Sequence, residues 1–199
     1  MKKRLLKILT YSLIVIAAFA APILHNRYMQ KPIEVSTPLT TYTIVWGEMS
    51  GYTTTDFYNK VRICQESGIR HIEIFLMSPG GLAFDCFGAV DVMEQAKAEG
   101  ITFTVKAYGL VASAAVPVFV AGDERIAGPN TIFMLHKPEK PSYLDENDLE
   151  LFNLVERLYI SIVAKYCDLT YDEVDKLCND FTWFTAEQAK RYGMADEVR

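Results

Sequence analysis

Ala107-Tyr-Gly-Leu-Val-Ala-Ser-Ala-Ala-Val-Pro-Val-Phe-Val-Ala-Gly122 is the stretch that decides how this chain is read. Ser113 is its one polar side chain with reactive potential, set in a small, apolar run. Upstream, Ile101-Thr-Phe-Thr-Val-Lys-Ala107 alternates and is rich in β-branched residues, which predicts a strand. Downstream, Ala114 to Ala121 predicts a buried helix, with Gly109 supplying the turn between the two. A serine at a strand-to-helix turn lies near backbone N–H groups that have no helical partner, the setting of an acyl-transfer nucleophile. The same serine suits the N-cap of a core helix, the reading this stretch favours when taken alone. The rest of the chain has to decide between them.

Composition narrows the field. A chain of 199 residues, half of them apolar, suits one domain plus an appendage. The formal charge of -5 is unevenly placed. Residues 1–30 hold five basic side chains and no acid, and the remainder carries 15 basic and 25 acidic residues. An acidic body lacks the basic footprint of a nucleic-acid binder, so no nucleic acid is expected as a partner. The four cysteines (Cys64, Cys86, Cys167, Cys178) show no metal-ligand spacing, so no metal or cofactor is expected. Buried free thiols are the expectation, with a Cys167–Cys178 bridge as the alternative in an exported body.

At the amino end, Met1-Lys-Lys-Arg4 precedes a 17-residue uncharged run, Ile8 to Leu24. That length meets the lower edge of a membrane span. The expectation is a signal anchor over residues 1–25, in the inner membrane, with the body on the outer (periplasmic) face. The alternative is secretion after cleavage near Ala20, since Ala18-Phe19-Ala20 fits a small-x-small site. Residues 26–42 read as a linker, and 43–199 as the body.

Within the body, Thr43–Gly47 predicts a strand, and a threonine among Thr53, Thr54 and Thr55 predicts the cap of a helix over Asp56–Glu66. His71–Met77 is a strand with Ile72, Ile74 and Leu76 on one face, running into Ser78-Pro-Gly-Gly81. Phe84–Ala98 is helical. Strand and helix alternating over short connections imply an α/β fold with a mostly parallel sheet. Ile126-Ala127 and Thr131–Leu135 are further strands, and the second delivers His136 at its end. Leu149–Cys167 is a long helix with a broad apolar stripe. Thr170 caps a short helix, and Thr185-Ala-Glu-Gln188 has the capping-box pattern of another.

Ser113, His136 and the Gly80-Gly81 pair all fall at carboxyl ends of strands, where open parallel sheets bind ligands. Serine needs a base to take its proton, and His136 is the histidine placed to serve. Gly81 and Ala114 backbone N–H groups are candidate oxyanion donors.

Five successive stretches carry a resemblance. They are Ile74-Phe-Leu-Met-Ser-Pro-Gly-Gly81, Tyr108-Gly-Leu-Val-Ala-Ser113, Ala121-Gly-Asp-Glu-Arg-Ile-Ala-Gly-Pro-Asn130, Phe133-Met-Leu-His-Lys-Pro138 and Trp183-Phe-Thr-Ala-Glu-Gln-Ala-Lys-Arg-Tyr-Gly-Met-Ala-Asp196. In order and spacing they resemble the Clp protease proteolytic subunit family. The resemblance implies a Clp/crotonase-like (ββα)-repeat spiral with a protruding handle helix from Leu149 that builds homo-oligomeric rings. It implies a serine peptidase acting on peptides or unfolded protein, with Ser113 as nucleophile, His136 as base and Gly81 and Ala114 as oxyanion donors.

The family's third catalytic residue, an Asp, falls at Phe181 in this sequence, with Asp180 one position earlier as the candidate replacement. Pro117, four residues after Ser113, lacks the N–H that would bond the Ser113 carbonyl, so the helix is expected to start late or bend. The amino-terminal segment is unlike the family and makes an ATPase partner doubtful. Two further readings stand beside the Ser-His peptidase. One is a Ser-Lys enzyme of the signal-peptide-peptidase kind, using Lys137 or Lys140. The other is a non-catalytic ring-forming scaffold.

Overall fold

The computed structural model describes residues 41–139 and 148–199. Seven strands among them form one sheet. Strands β1 (Thr41–Trp46), β2 (His71–Ser78), β3 (Thr102–Ala112), β4 (Glu124–Ala127) and β7 (Glu197–Val198) lie side by side and parallel. Strand β5 (Ile132–Leu135) pairs parallel with the far end of β3, and β6 (Thr182–Thr185) pairs antiparallel with β5. The fold is α/β with mostly parallel strands, as the alternation of elements predicts. In β2 the side chains of Ile72, Ile74, Leu76 and Ser78 all face the core, the period-two pattern of a strand with one covered face.

The helices are α1 (Gly51–Ser67), α2 (Ala83–Ala98), α3 (Ala115–Val120), α4 (Leu149–Lys165), α5 (Tyr171–Asn179) and α6 (Ala186–Arg191). Three begin with reciprocal capping boxes: Ser50 with Thr53, Thr170 with Glu173, and Thr185 with Gln188. Each box gives partners to backbone N–H groups that the first turn would otherwise leave unpaired. Thr170 and Thr185 act as the sequence predicts. The first helix differs, because Ser50 rather than Thr53, Thr54 or Thr55 is its cap, and the helix starts earlier. All six residues of α3 are buried, and its valines and Phe119 each contribute roughly 1.5–3 kcal/mol by leaving water.

The expected turn at Gly109 is not there. Strand β3 continues through it to Ala112. Leu76 pairs with Ala107, and Ser78 pairs with Val111, so β3 holds two extra residues against β2. Gly109 absorbs them with φ of +65°, as a glycine bulge in a strand interior does. The bulge changes the neighbour of β3 from β4, before it, to β5, beyond it. It thereby brings the end of β5 beside the end of β3.

Pro117 has the effect expected of it. With no N–H four residues on, the Ser113 carbonyl accepts from Val116 N–H at 2.9 Å instead. It also accepts from the Tyr159 hydroxyl at 3.0 Å. Tyr159 is 2% exposed and comes from α4. The long helix therefore supplies a hydrogen bond that α3 cannot make for itself.

All four cysteines are free thiols, as the spacing predicts, and the alternative Cys167–Cys178 bridge does not form. Burial pushes the Cys178 thiol up to about 12. The membrane anchor is withdrawn: among the described residues no helix is long and apolar enough to cross a membrane. The Ile8–Leu24 run, the cleavage pattern near Ala20 and most of the linker lie outside the described residues. The membrane partner and inner-membrane location, which rested on that run alone, go with the anchor.

Removing the Tyr159 hydroxyl leaves the Ser113 carbonyl with only its short turn bond. Y159F is expected to lower the free energy of unfolding by about 0.5–1.5 kcal/mol, measured by urea titration. An unchanged urea midpoint would show that the Val116 bond suffices.

Candidate active site

Ser113 follows the last residue of β3 and has φ of +54°. A left-handed backbone costs a non-glycine residue about 1–3 kcal/mol and persists only where its surroundings impose it. The impositions are visible. The Ser113 N–H donates to the Met134 carbonyl at 2.9 Å, and its own carbonyl is held by Val116 and Tyr159. The turn aims the hydroxyl at β5.

His136 follows β5 directly. Because Ala112 is in register with Met134, the residues just beyond each strand are neighbours. Ser113 Oγ and His136 Nε2 lie 2.6 Å apart. Burial lowers the His136 pKa, and the nearby Glu139 charge opposes that shift. The shift favours the neutral imidazole, the form that accepts a proton.

The glycine pair closes the site from β2. Gly80 and Gly81 have φ of +103° and +146°. A Cβ at Gly80 would lie 2.7 Å from Ser113 Cβ, and one at Gly81 would lie 2.0 Å from the Met49 carbonyl oxygen. Only glycine permits these approaches. Gly80 N–H donates to Ser78 Oγ at 3.1 Å, while Met49 N–H donates to the Gly80 carbonyl and Leu82 N–H to the Met49 carbonyl. Among the described residues, no backbone acceptor takes the Gly81 or Ala114 N–H. Both residues line a cavity of about 500 Å³ that also takes in Ser113 and His136. Leu82, Phe84, Leu151, Phe152, Val155 and Tyr159 give it an apolar wall, with Glu139 on its lining. A serine–histidine contact, two N–H groups with no backbone acceptor among the described residues and an apolar cleft together suit attack on an acyl carbon.

Asp180 does not join them. It is exposed at the end of α5, and His136 Nδ1 is buried with no hydrogen-bond partner among the described residues. The Phe181 ring lies against the imidazole instead, with centroids 5.0 Å apart. Lys137 is engaged elsewhere. Its Nζ lies 2.5 Å from Glu156 and 3.1 Å from Asp175, and Glu156 first among its neighbours holds its pKa above the ordinary lysine range. Lys140 lies outside the described residues. Tyr159 is the residue that sequence reasoning missed. The missing N–H at Pro117 announced a carbonyl in need of a donor, but nothing in the sequence named the donor.

Comparison with known proteins agrees with this geometry. Residues 42–199 match the family described as Clp protease. An ATP-dependent Clp protease proteolytic subunit from Bacteroides thetaiotaomicron is 32% identical over 65% of this chain and 60% of its own length. Subunit 1 from Salinibacter ruber is 29% identical over 67% of this chain and 58% of its own. The chain thus spans about 60% of the length of these curated relatives. A ClpP1 mutant structure from Listeria monocytogenes superimposes with a TM-score of 0.72 at 23% identity, covering 80% of this chain and 91% of that one. That likeness concerns the fold. Since the family match takes in nearly the whole described body, the chain belongs to the Clp protease family.

Proposed function

We propose that this chain is a serine-type peptidase that cleaves peptides or unfolded protein by acyl transfer, with Ser113 as nucleophile and His136 as general base. The observation that carries the reading is the 2.6 Å contact between Ser113 Oγ and His136 Nε2 beside an apolar cleft. Ser113 Oγ attacks the scissile carbonyl carbon as His136 Nε2 takes its proton. The carbonyl oxygen becomes an oxyanion held by the Gly81 and Ala114 N–H groups, donors worth about 10²–10³ in rate each. The C–N bond breaks as His136 returns the proton to the leaving amine. Water, deprotonated by His136, then releases the acyl group and restores the serine.

The pair works as a dyad. Without an acceptor at Nδ1, the imidazolium formed during attack has no partner, and loss of such a partner costs about 10⁴ where it has been tested in another fold. The fold on this reading is the (ββα)-repeat spiral of the Clp/crotonase superfamily. The long helix α4 is its handle. Leu149, Leu151, Leu154 and Leu158 are 42–50% exposed there, which favours burial between copies in a homo-oligomeric ring. The relatives are named as ATP-dependent, and the reason for doubting an ATPase partner here was the membrane segment, now withdrawn. A Ser-Lys mechanism is disfavoured by the two carboxylates on Lys137. The non-catalytic scaffold remains the second reading, favoured by the unpartnered His136 Nδ1.

Ser113→Ala is expected to abolish fluorophosphonate labelling and to cut peptide hydrolysis by about 10⁴ or more, with the unfolding midpoint retained. Labelling that persists in the variant would refute the nucleophile assignment. For the wild type, kcat/KM should rise with pH through the titration of His136, because only the neutral ring accepts the serine proton. Its acid limb should lie below the ordinary histidine value near 6.5, since burial lowers the His136 pKa. A limb at 7 or above would contradict a buried, unpaired imidazole. Phe181→Asp places an acceptor beside the ring, at a left-handed position that aspartate tolerates better than phenylalanine. It should raise turnover by about tenfold or more and move the acid limb upward. No gain would show that position 181 cannot reach Nδ1.

A further inference from the structure

His136 poses a positioning problem that the hydrogen bonds around it do not solve. For Nε2 to accept the Ser113 proton, the resting proton must sit on Nδ1. Nδ1 is buried and unpartnered among the described residues, so no hydrogen bond from that side sets the rotation of the ring. What meets the ring is Phe181, at 5.0 Å and 37° between planes.

That meeting is built into the sheet. Leu135 pairs with Thr182 across the antiparallel β5–β6 ladder. One step further along the two chains, His136 and Phe181 stand opposite each other. Phe181 has φ of +48°, an outlier for a bulky side chain. Its N–H donates to the Cys178 carbonyl at 3.4 Å, closing α5 immediately before β6 begins. Yet the residue is 54% exposed, so core burial does not explain why a phenylalanine holds a left-handed backbone there.

We propose that Phe181 is the positioning residue of His136: a cross-strand neighbour whose ring, in place of a hydrogen-bonding acid, fixes the imidazole plane toward Ser113. The inference deepens the Ser113–His136 reading and rests on it. The charged groups around the histidine do not supply the same function. Glu139 acts on it through its charge alone. Lys137 is tied to Glu156 on α4 and Asp175 on α5, and Asp180 points no hydrogen bond at Nδ1. Phe181 therefore works by contact. It restricts the imidazole and keeps water from Nδ1 while offering no stabilisation to the imidazolium.

The test compares Phe181→Ala and Phe181→Leu with the wild type in the full chain. One readout is the NMR titration of the His136 imidazole, assigned with His136→Gln, and the other is the rate of fluorophosphonate labelling. In Phe181→Ala water reaches Nδ1, so the His136 midpoint should move up. Labelling should slow by about tenfold or more as the ring loses its fixed orientation. Phe181→Leu keeps hydrocarbon bulk and should stay close to the wild type in both. A role limited to stability would lower the melting temperature of Phe181→Ala and leave the His136 midpoint where it was, and that result overturns the proposal. The titration needs no turnover, so it judges Phe181 by itself. A wild type that never labels counts against the nucleophile assignment instead.

Discussion

The site depends on two backbones meeting with no side chain between them. Gly80 lies so close to the Ser113–Ala114 turn that a methyl group in its place would overlap Ser113 Cβ. Gly81 lies as close to Met49. This contact holds the end of β2 against the end of β3, and Gly81 and Ala114 both line one cavity. The rest of the molecule serves to hold that approach. Strand β5 seats Ser113 through the Met134 carbonyl, and Tyr159 from α4 secures the carbonyl that Pro117 deprives of its helical partner. Ser113 Oγ and His136 Nε2 then meet at 2.6 Å, each one residue beyond the end of a strand.

Much of this was legible in the sequence. Alternation in His71–Met77 and in Ile101–Ala107 identified two central strands, because one covered face imposes a period of two. Thr170 and Thr185 announced their helices, because a hydroxyl followed three residues later by Glu or Gln satisfies two N–H groups at once. The placement of Ser113, His136 and the glycine pair at strand ends was legible because strand ends and tight turns leave marks in local sequence. The late start of α3 could be foreseen for the same reason, since a proline lacks its N–H whatever surrounds it.

What stayed hidden was set by tertiary pairing. Gly109 looked like a turn, and only the register of β3 against β2 makes it a bulge. Strand β6 is four residues of mixed character, too short to show a period, and it exists because β5 offers an open edge. The donor from Tyr159 lies 46 residues from the carbonyl it serves. The place of the third acid was open to Asp180 by a slip of one residue. The pairing of Leu135 with Thr182 removes that slip and puts Phe181 opposite the histidine.

Ser113 and His136 are proposed to act together on an acyl carbon without an orienting acid. A peptide chloromethyl ketone with an apolar residue next to the reactive carbon tests this joint action most directly. Ser113 Oγ adds to the ketone carbonyl, and His136 Nε2 displaces chloride from the adjacent carbon, so both residues are needed for one adduct. Mass-spectrometric mapping should find a single modification, on His136, that disappears in Ser113→Ala. An unmodified His136, or modification that is equal in the wild type and in Ser113→Ala, would contradict the claim.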